Sequence, residues 1–390
     1  MKKPVHLNKT AWWNVMCSRS HLNVLLVSVA CLATTSAAQA QTEELNFAGD
    51  FRVRHEVTTK QETTTEGSDV LDGARNREVV RFRFGMNKKI NGLFNFGARI
   101  ATGSPDDPNT TDITLGDFFN DLTISLDRAY MEMKYQGLFL TGGKFANPYV
   151  TTELVWDGDV NLQGFGASYT LSGLENLSPR LTGVYSIIDE QTIRDDSYLL
   201  GGALDFNIKA GSDLKLRLSG GYYNYTINSL VNAGSGDILS NRLDSTGTRY
   251  LSDFDLVDIV ATVEAGGFGS RFPLRFVGNY VNNVGADDQN TGFGVDLYLG
   301  KSAKKSDLRF QLGYSQTETD AVLAAFSHDN TVLATNYDQY TAAVDYVVVD
   351  DTILNVTWYY FRRHEVPADA VLILDKGFFS RIRLNALVKF

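Results

Sequence analysis

Apolar and polar residues alternate along most of this chain, and this alternation limits its fold more than any other feature. In the closing segment SRIRLNALVKF, Ile382 and Leu384 fall on one parity, whereas Arg381 and Arg383 fall on the other. Successive side chains of a β-strand point to opposite faces, so a period of two predicts a strand with one apolar and one polar face. The segments VVRFRFGM, LKLRLSGGYYNY and DLRFQLGYSQ have the same pattern. Because helical periodicity is nearly absent, we expect an all-β protein.

The alternating segments predict about sixteen strands joined by two kinds of connection. Short turns such as NKKING and KSAKKS alternate with long polar loops such as 103–125 and 227–253. This arrangement is typical of a transmembrane antiparallel up-and-down β-barrel, in which the last strand pairs with the first and leaves no open edge. A β-sandwich or a β-solenoid would also alternate, but the sequence has neither a domain linker nor a fixed repeat. The predicted strands are 45–57, 75–87, 93–102, 126–136, 137–145, 160–171, 179–187, 199–210, 213–226, 254–266, 270–282, 290–300, 307–317, 337–349, 352–364 and 379–390.

Residues 1–40 have the composition of a secretory signal peptide. Basic residues precede an apolar run from Val24 to Leu32, and small residues follow it up to Ala40. The run is too short to span a bilayer, so we predict a removed leader that is cleaved after Ala40. The domain organisation is then a signal peptide at 1–40 and an outer-membrane β-barrel domain at 41–390. The start codon, Met1 or Met16, stays open.

Charge and cysteine content exclude several functions. The leader holds four basic and no acidic residues, so its removal takes the net charge from -10 to -14, and we expect no nucleic-acid partner. Both cysteines, Cys17 and Cys31, lie in the leader, which removes disulfides, thiolate metal sites and thiol nucleophiles from the mature chain. No phosphate loop or metal-ligand spacing occurs, so we expect no cofactor, no metal and no catalytic residue.

Several segments resemble a known family. They are GDFRVRHE, NREVVRFRFGM, LFNFGARIATGS, ISLDRAYMEMKY, FLTGGKFANPY and WDGDVNLQGFGASY, all in the first half of the chain. Together they are similar to the putative porin family of Gram-negative outer-membrane proteins, which implies a large barrel with a pore. The terminal Phe390 after an amphipathic strand resembles the signal that the barrel-assembly machinery reads in such proteins. The resemblance supplies no substrate and no functional residues.

Within such a barrel, the polar parity of each strand is expected to face the lumen. The arginines on this parity cluster on the first, second and last strands, and the acidic residues lie on later strands. A basic wall opposite an acidic wall would orient polar solutes, whereas the simpler interpretation is that these charges pair with each other. The predicted pore-lining residues are Arg52, Arg54, Arg81, Arg83, Arg99, Arg128, Arg363, Arg381, Arg383, Asp258, Glu264, Asp296 and Asp345.

An aromatic pair in a long loop offers a candidate constriction. Phe118 and Phe119 lie in the polar segment TLGDFFNDLTIS. The two rings could fold inward and narrow the pore, or they could pack under neighbouring loops. The sequence leaves both open.

These observations together predict a channel in the bacterial outer membrane that lets small polar or charged solutes diffuse passively. Its expected partners are outer-membrane lipids, the barrel-assembly machinery and the solutes, and similarity to general porins suggests a homotrimer. The alternatives are a non-conducting structural barrel and a barrel hydrolase. Against a hydrolase, His55 falls on the apolar parity and His364 adjoins the aromatic segment WYY. We therefore expect no enzymatic activity.

Overall fold

The computed structural model describes residues 45–59, 74–116, 118–211, 213–234, 238–365 and 377–390. The predicted signal peptide and its cleavage site lie outside these residues, so they stay predictions. No helix in the described ranges is long and apolar enough to span a membrane.

Seventeen β-strands and one 3₁₀-helix make up the described chain. The helix is Ala324–Phe326, and the short strand β4 has three residues where every other strand has at least nine. The strands are β1 Leu45–Thr59, β2 Arg75–Lys89, β3 Phe94–Thr102, β4 Ile113–Leu115, β5 Ile124–Tyr135, β6 Leu138–Ala146, β7 Asn161–Thr170, β8 Leu177–Asp189, β9 Ser197–Ala210, β10 Leu214–Thr226, β11 Phe254–Ala265, β12 Leu274–Asn283, β13 Thr291–Gly300, β14 Leu308–Thr317, β15 Tyr337–Val349, β16 Thr352–Arg363 and β17 Phe379–Lys389. The sixteen predicted strands are confirmed, with ends that differ by at most four residues.

The long strands pair antiparallel in chain order and close into a barrel. β17 pairs with β1 in a register that places Arg54 opposite Asn385. Strand β3 ends at Thr102, whereas its neighbour β2 continues further toward the long-loop end. The short strand β4 pairs with that remaining edge of β2, with Val80 opposite Ile113. The predicted closed antiparallel barrel is therefore confirmed. Strand β4 was not predicted, because three residues are too few to show an alternation of apolar and polar side chains.

The two faces of the barrel wall differ as the alternation predicts. Phe51, Leu312 and Leu384 are among the many large apolar side chains exposed on the outer face. Such a band of outward apolar residues suits contact with lipid hydrocarbon, and each long strand is hydrogen-bonded to a neighbour on both sides in the closed sheet. Arg54 and Glu56 point inward on β1 and are almost completely buried.

The interior also contains an apolar core, which the strand pattern does not predict. The β6–β7 loop (residues 147–160) and the β14–β15 loop (residues 318–336) turn inward and pack together. Trp156 is 1% exposed and stacks on Phe326 with ring centroids 5.8 Å apart. Its edge packs against Tyr223 on the wall at 5.6 Å. Part of the lumen is therefore filled by folded loop.

Candidate pore

Hydrogen bonds hold the two inward loops to each other and to the wall. The Asp157 backbone N–H donates to the Phe326 carbonyl at 2.7 Å. The Thr152 hydroxyl donates to the Asn279 side chain on β12. The β6–β7 loop is thus bonded both to the β14–β15 loop and to β12 of the wall. We call the inward-folded loops the partition, because they divide the lumen.

A third segment, the β3–β4 loop (residues 103–112), joins this partition. The Asn109 side-chain amide donates to the Ser327 carbonyl at 3.0 Å. Asp112 forms ion pairs with Arg52 and, at 2.7 Å, with Arg54. Burial alone would raise the pKa of Asp112, but the guanidinium groups of Arg54 and Arg52 outweigh burial and hold this pKa below its ordinary value. Asp112 is therefore ionised and neutralises part of the arginine wall.

The arginine wall on β1, β2 and β17 is locked in ion pairs. Glu56 is 1% exposed; it accepts hydrogen bonds from Arg77 and, at 2.8 Å, from Arg383, and it is ion-paired with Arg381 at 3.4 Å. On the second strand, both Arg81 and Arg83 pair with Asp50, at 2.9 and 2.7 Å. Arg83 also reaches Asp159 of the β6–β7 loop at 2.6 Å.

Two acidic residues of the opposite wall are paired with arginines on neighbouring strands. Asp205 on β9 pairs with Arg180 on β8 at 2.7 Å. Asp345 on β15 pairs with Arg309 on β14 at 2.5 Å. Local pairing accounts for the charge at these two positions, whereas Asp258, Glu264 and Asp296 have no arginine within ion-pair distance among the described residues. An acidic wall facing a basic one stays a prediction.

Below the partition, toward the end with the short turns, lies a cavity of about 960 Å³ that we call the chamber. Seven arginines line it against two carboxylates, those of Glu153 and Asp296. Its lining arginines are Arg52, Arg54, Arg180, Arg217, Arg275, Arg309 and Arg383. Guanidinium groups therefore outnumber carboxylates on the chamber surface, and five of these seven arginines are ion-paired with carboxylates that do not line it.

The predicted pore-lining residues are distributed unevenly around this chamber. Arg52, Arg54, Arg383 and Asp296 line it. The structure places the remaining residues elsewhere on the inner face or in its ion-pair networks: Arg81, Arg83, Arg99, Arg128, Arg363, Arg381, Asp258, Glu264 and Asp345. Among these, Asp258 is 2% exposed and accepts from Asn279 at 2.6 Å. Glu264 lies nearer the short-turn end, beside a smaller cavity.

The aromatic pair Phe118 and Phe119 does not narrow the interior. Both side chains are fully exposed, at 98% and 106%. Both also have positive φ angles, 49° and 63°, which non-glycine residues adopt in tight turns. The lumen is narrowed instead by the three inward loops.

Sequence reasoning missed the four chamber arginines on the wall from β8 to β14. Arg217 and Arg309 do fall on the polar parity of their segments, so the alternation contains the signal. The acidic residues that indicate an acidic wall lie on the neighbouring strands β9, β11, β13 and β15, so each arginine stands beside at least one strand that carries the opposite charge.

The three histidines among the described residues lie in separate environments. His55 contacts Glu78 at 2.6 Å on the outer face, and His364 contacts Asp338 at 2.9 Å. His328 is 3% exposed within the β14–β15 loop and packs against Tyr337. Burial lowers the pKa of His328 to about 3, with Arg383 and Arg381 as further causes. This ring is therefore neutral at physiological pH and acts as a packing group.

A closed barrel with an apolar outer face and a charged interior chamber defines the class of outer-membrane channel proteins. The family model described as Putative porin matches residues 32–246, which is more than half of the chain. The chain belongs to this family, and it is an outer-membrane porin. No curated protein matches the sequence.

Solved structures share the fold at low sequence identity. The anion-selective porin from Comamonas acidovorans is 10% identical with a TM-score of 0.53, and the match covers 89% of this chain and 100% of that one. OprB from Pseudomonas putida, solved at high pH, is 12% identical with a TM-score of 0.55 and coverages of 89% and 94%. OmpT from Vibrio cholerae, folded in vitro, is 11% identical with a TM-score of 0.50 and coverages of 90% and 99%. These similarities establish the barrel fold.

Proposed function

We propose that this porin is a passive diffusion channel that favours small anionic solutes. The observation that carries the proposal is the lining of the chamber, with seven arginines against two carboxylates. Charges that line a narrow aqueous path act on a passing ion at short range and set the selectivity of the channel. The acidic excess of the whole chain acts at longer range, where salt screens it beyond roughly 10 Å.

The unpaired part of the chamber charge lies on two strands. Arg52 and Arg54 share the carboxylate of Asp112, so their charge is partly neutralised. Arg217 donates to the neutral amide of Asn207 at 2.7 Å, and Arg275 lies over the ring of Tyr298. These last two arginines supply cationic charge that is available to a solute.

A planar-bilayer measurement tests the proposal. The purified barrel should give stepwise conductance, and a salt gradient should produce a reversal potential of the sign at which chloride carries more current than potassium. Reproducible silence from a folded barrel would favour the structural alternative, and a cation preference would refute anion selection.

Phe390 supports a second proposal, that the closing strand carries the signal for barrel assembly. Its backbone exchanges two hydrogen bonds with Gly49, at 2.7 and 3.1 Å, and its ring lies beside Phe82 and Phe84. Replacing Phe390 by Ala should lower the amount of folded protein in the outer membrane several-fold while leaving folding in detergent nearly unchanged. Equal loss in both settings would assign Phe390 to barrel stability alone.

Export and oligomerisation complete the proposal. The leader is cleaved after Ala40, so the intact mass of outer-membrane material should match a chain that begins at Gln41.

The barrel assembles as a homotrimer, by analogy with general porins. Cross-linking in detergent that yields only monomer would refute the trimer.

A further inference from the structure

Two arginines at the short-turn end of the chamber differ from the rest of its basic lining. Arg217 lies on β10 and Arg275 on β12, and both side chains are exposed to the chamber. By contrast, the side chains of Arg54 and Arg383 are only 6% and 4% exposed and are held by carboxylates. Arg180 and Arg309 are 29% and 37% exposed but are ion-paired with carboxylates, so the exposed pair is the part of the lining that is both accessible and without a carboxylate partner among the described residues.

The hydrogen-bonding capacity of this pair is largely unused. A guanidinium group has five N–H donors. Arg217 donates one of these N–H groups to the Asn207 side chain. In the described residues, no carboxylate lies within ion-pair distance of Arg217 or Arg275. The remaining donors face the chamber, where an anion could accept them.

Tyr298 orients the second arginine. The Arg275 guanidinium carbon lies 5.2 Å from the centroid of the Tyr298 ring, and that of Arg309 lies 5.6 Å from the same centroid. An arginine over an aromatic ring keeps the N–H groups at its edge free, in the fork that matches two oxygens of one anion. Tyr298 thus prepares Arg275 for bidentate binding.

Two carboxylates compete for this pair. Glu264 is the cross-strand neighbour of Arg275, but its exposed side chain is not in ion-pair contact with it. Asp296 lines the chamber and accepts from Gln311 at 2.9 Å. Two carboxylates beside two arginines weaken anion binding without abolishing it, which suits a channel that must release its solute.

We propose that Arg217 and Arg275, with Tyr298 as support, form a binding subsite for oxyanions, meaning solutes that carry a carboxylate or phosphate group. The subsite rests on the proposed anion channel and deepens it, because it distinguishes oxyanions from chloride. Bidentate acceptance by two oxygens is available to phosphate and carboxylate but not to a spherical halide. Oxyanion current should therefore saturate at concentrations where chloride current still rises.

The test compares single-channel conductance against concentration in potassium chloride, potassium phosphate and potassium succinate. Conductance in phosphate or succinate should saturate, and the double variant R217Q/R275Q should raise the half-saturating concentration about tenfold. The variant R217K/R275K keeps both charges but loses the fork, so it should keep the chloride preference and lose most of the saturation. R271Q removes an arginine that lies over Phe272 in the turn before β12, outside the chamber lining, and should behave as wild type.

The outcomes separate the subsite from the channel proposal. Saturation by either oxyanion that is lost in both double variants supports the subsite, and the ion with the lower half-saturating concentration identifies the preferred group. Chloride preference with linear conductance in both oxyanions overturns the subsite and leaves the anion channel standing. Cation preference in potassium chloride overturns the anion channel itself. Heat-modifiable gel mobility confirms that each variant has folded.

Discussion

Replacing Trp156 by Ala is expected to produce a larger and noisier single-channel conductance. Trp156 is 1% exposed and joins the β6–β7 loop to Phe326 of the β14–β15 loop. Truncation of a buried tryptophan to alanine costs about 3–5 kcal/mol, which exceeds what the few hydrogen bonds between the loops contribute. The partition should then loosen and admit more ions.

The measurement is conductance in potassium chloride, together with limited proteolysis of the β6–β7 loop. Trp358→Ala is the matched control, since Trp358 lies on the outer face of β16 and is 42% exposed. That variant should keep the wild-type conductance. Unchanged conductance and protease resistance in W156A would contradict the view that the aromatic core fixes the partition.

The Glu56→Gln substitution is expected to destabilise the barrel wall. Glu56 on β1 is 1% exposed. It is ion-paired with Arg77 on β2 and with Arg381 and Arg383 on β17. Removing one partner of a buried ion pair costs about 3–5 kcal/mol because the remaining charges are left uncompensated. The folded form should therefore unfold at a distinctly lower temperature in a heat-modifiability gel assay.

Glu78→Gln provides the control for this second prediction. Glu78 lies on the neighbouring strand β2, and its side chain is 56% exposed in contact with His55. Exposed pairs contribute about 0–1 kcal/mol, so this variant should unfold near the wild-type temperature. Equal shifts of the unfolding temperature in E56Q and E78Q would show that the buried Glu56 ion pairs contribute no more to stability than the exposed contact between Glu78 and His55.

The strands could be predicted because the alternation that specifies each strand lies within its own short segment of sequence. A period of two fixes which side chains share a face, and Arg54, which falls on the polar parity of its segment, is buried on the inner face of β1. Closure of the barrel followed from the amphipathic terminal strand, since an unpaired strand cannot remain open in hydrocarbon. These inferences require no knowledge of which residues meet across the lumen.

The interior could not be predicted in the same way, because loops lack a period. Asp112 and Asp159 come from loops and neutralise arginines on β1 and β2 from 58 and 76 residues away in sequence. Trp156 likewise lies in a segment whose carboxylates and glycines resemble a solvated turn. Only tertiary packing shows that this segment folds inward while the Phe118 loop stays outside.

The salt-gradient reversal potential of the purified barrel tests the central claim most directly, because it reports the sign of the charge that a permeating ion meets. The account predicts a potential at which chloride is the main carrier, and a shift toward zero in R217Q/R275Q, which removes the exposed chamber charge. A potassium-selective channel, or a chloride preference that R217Q/R275Q leaves unchanged, would contradict the account.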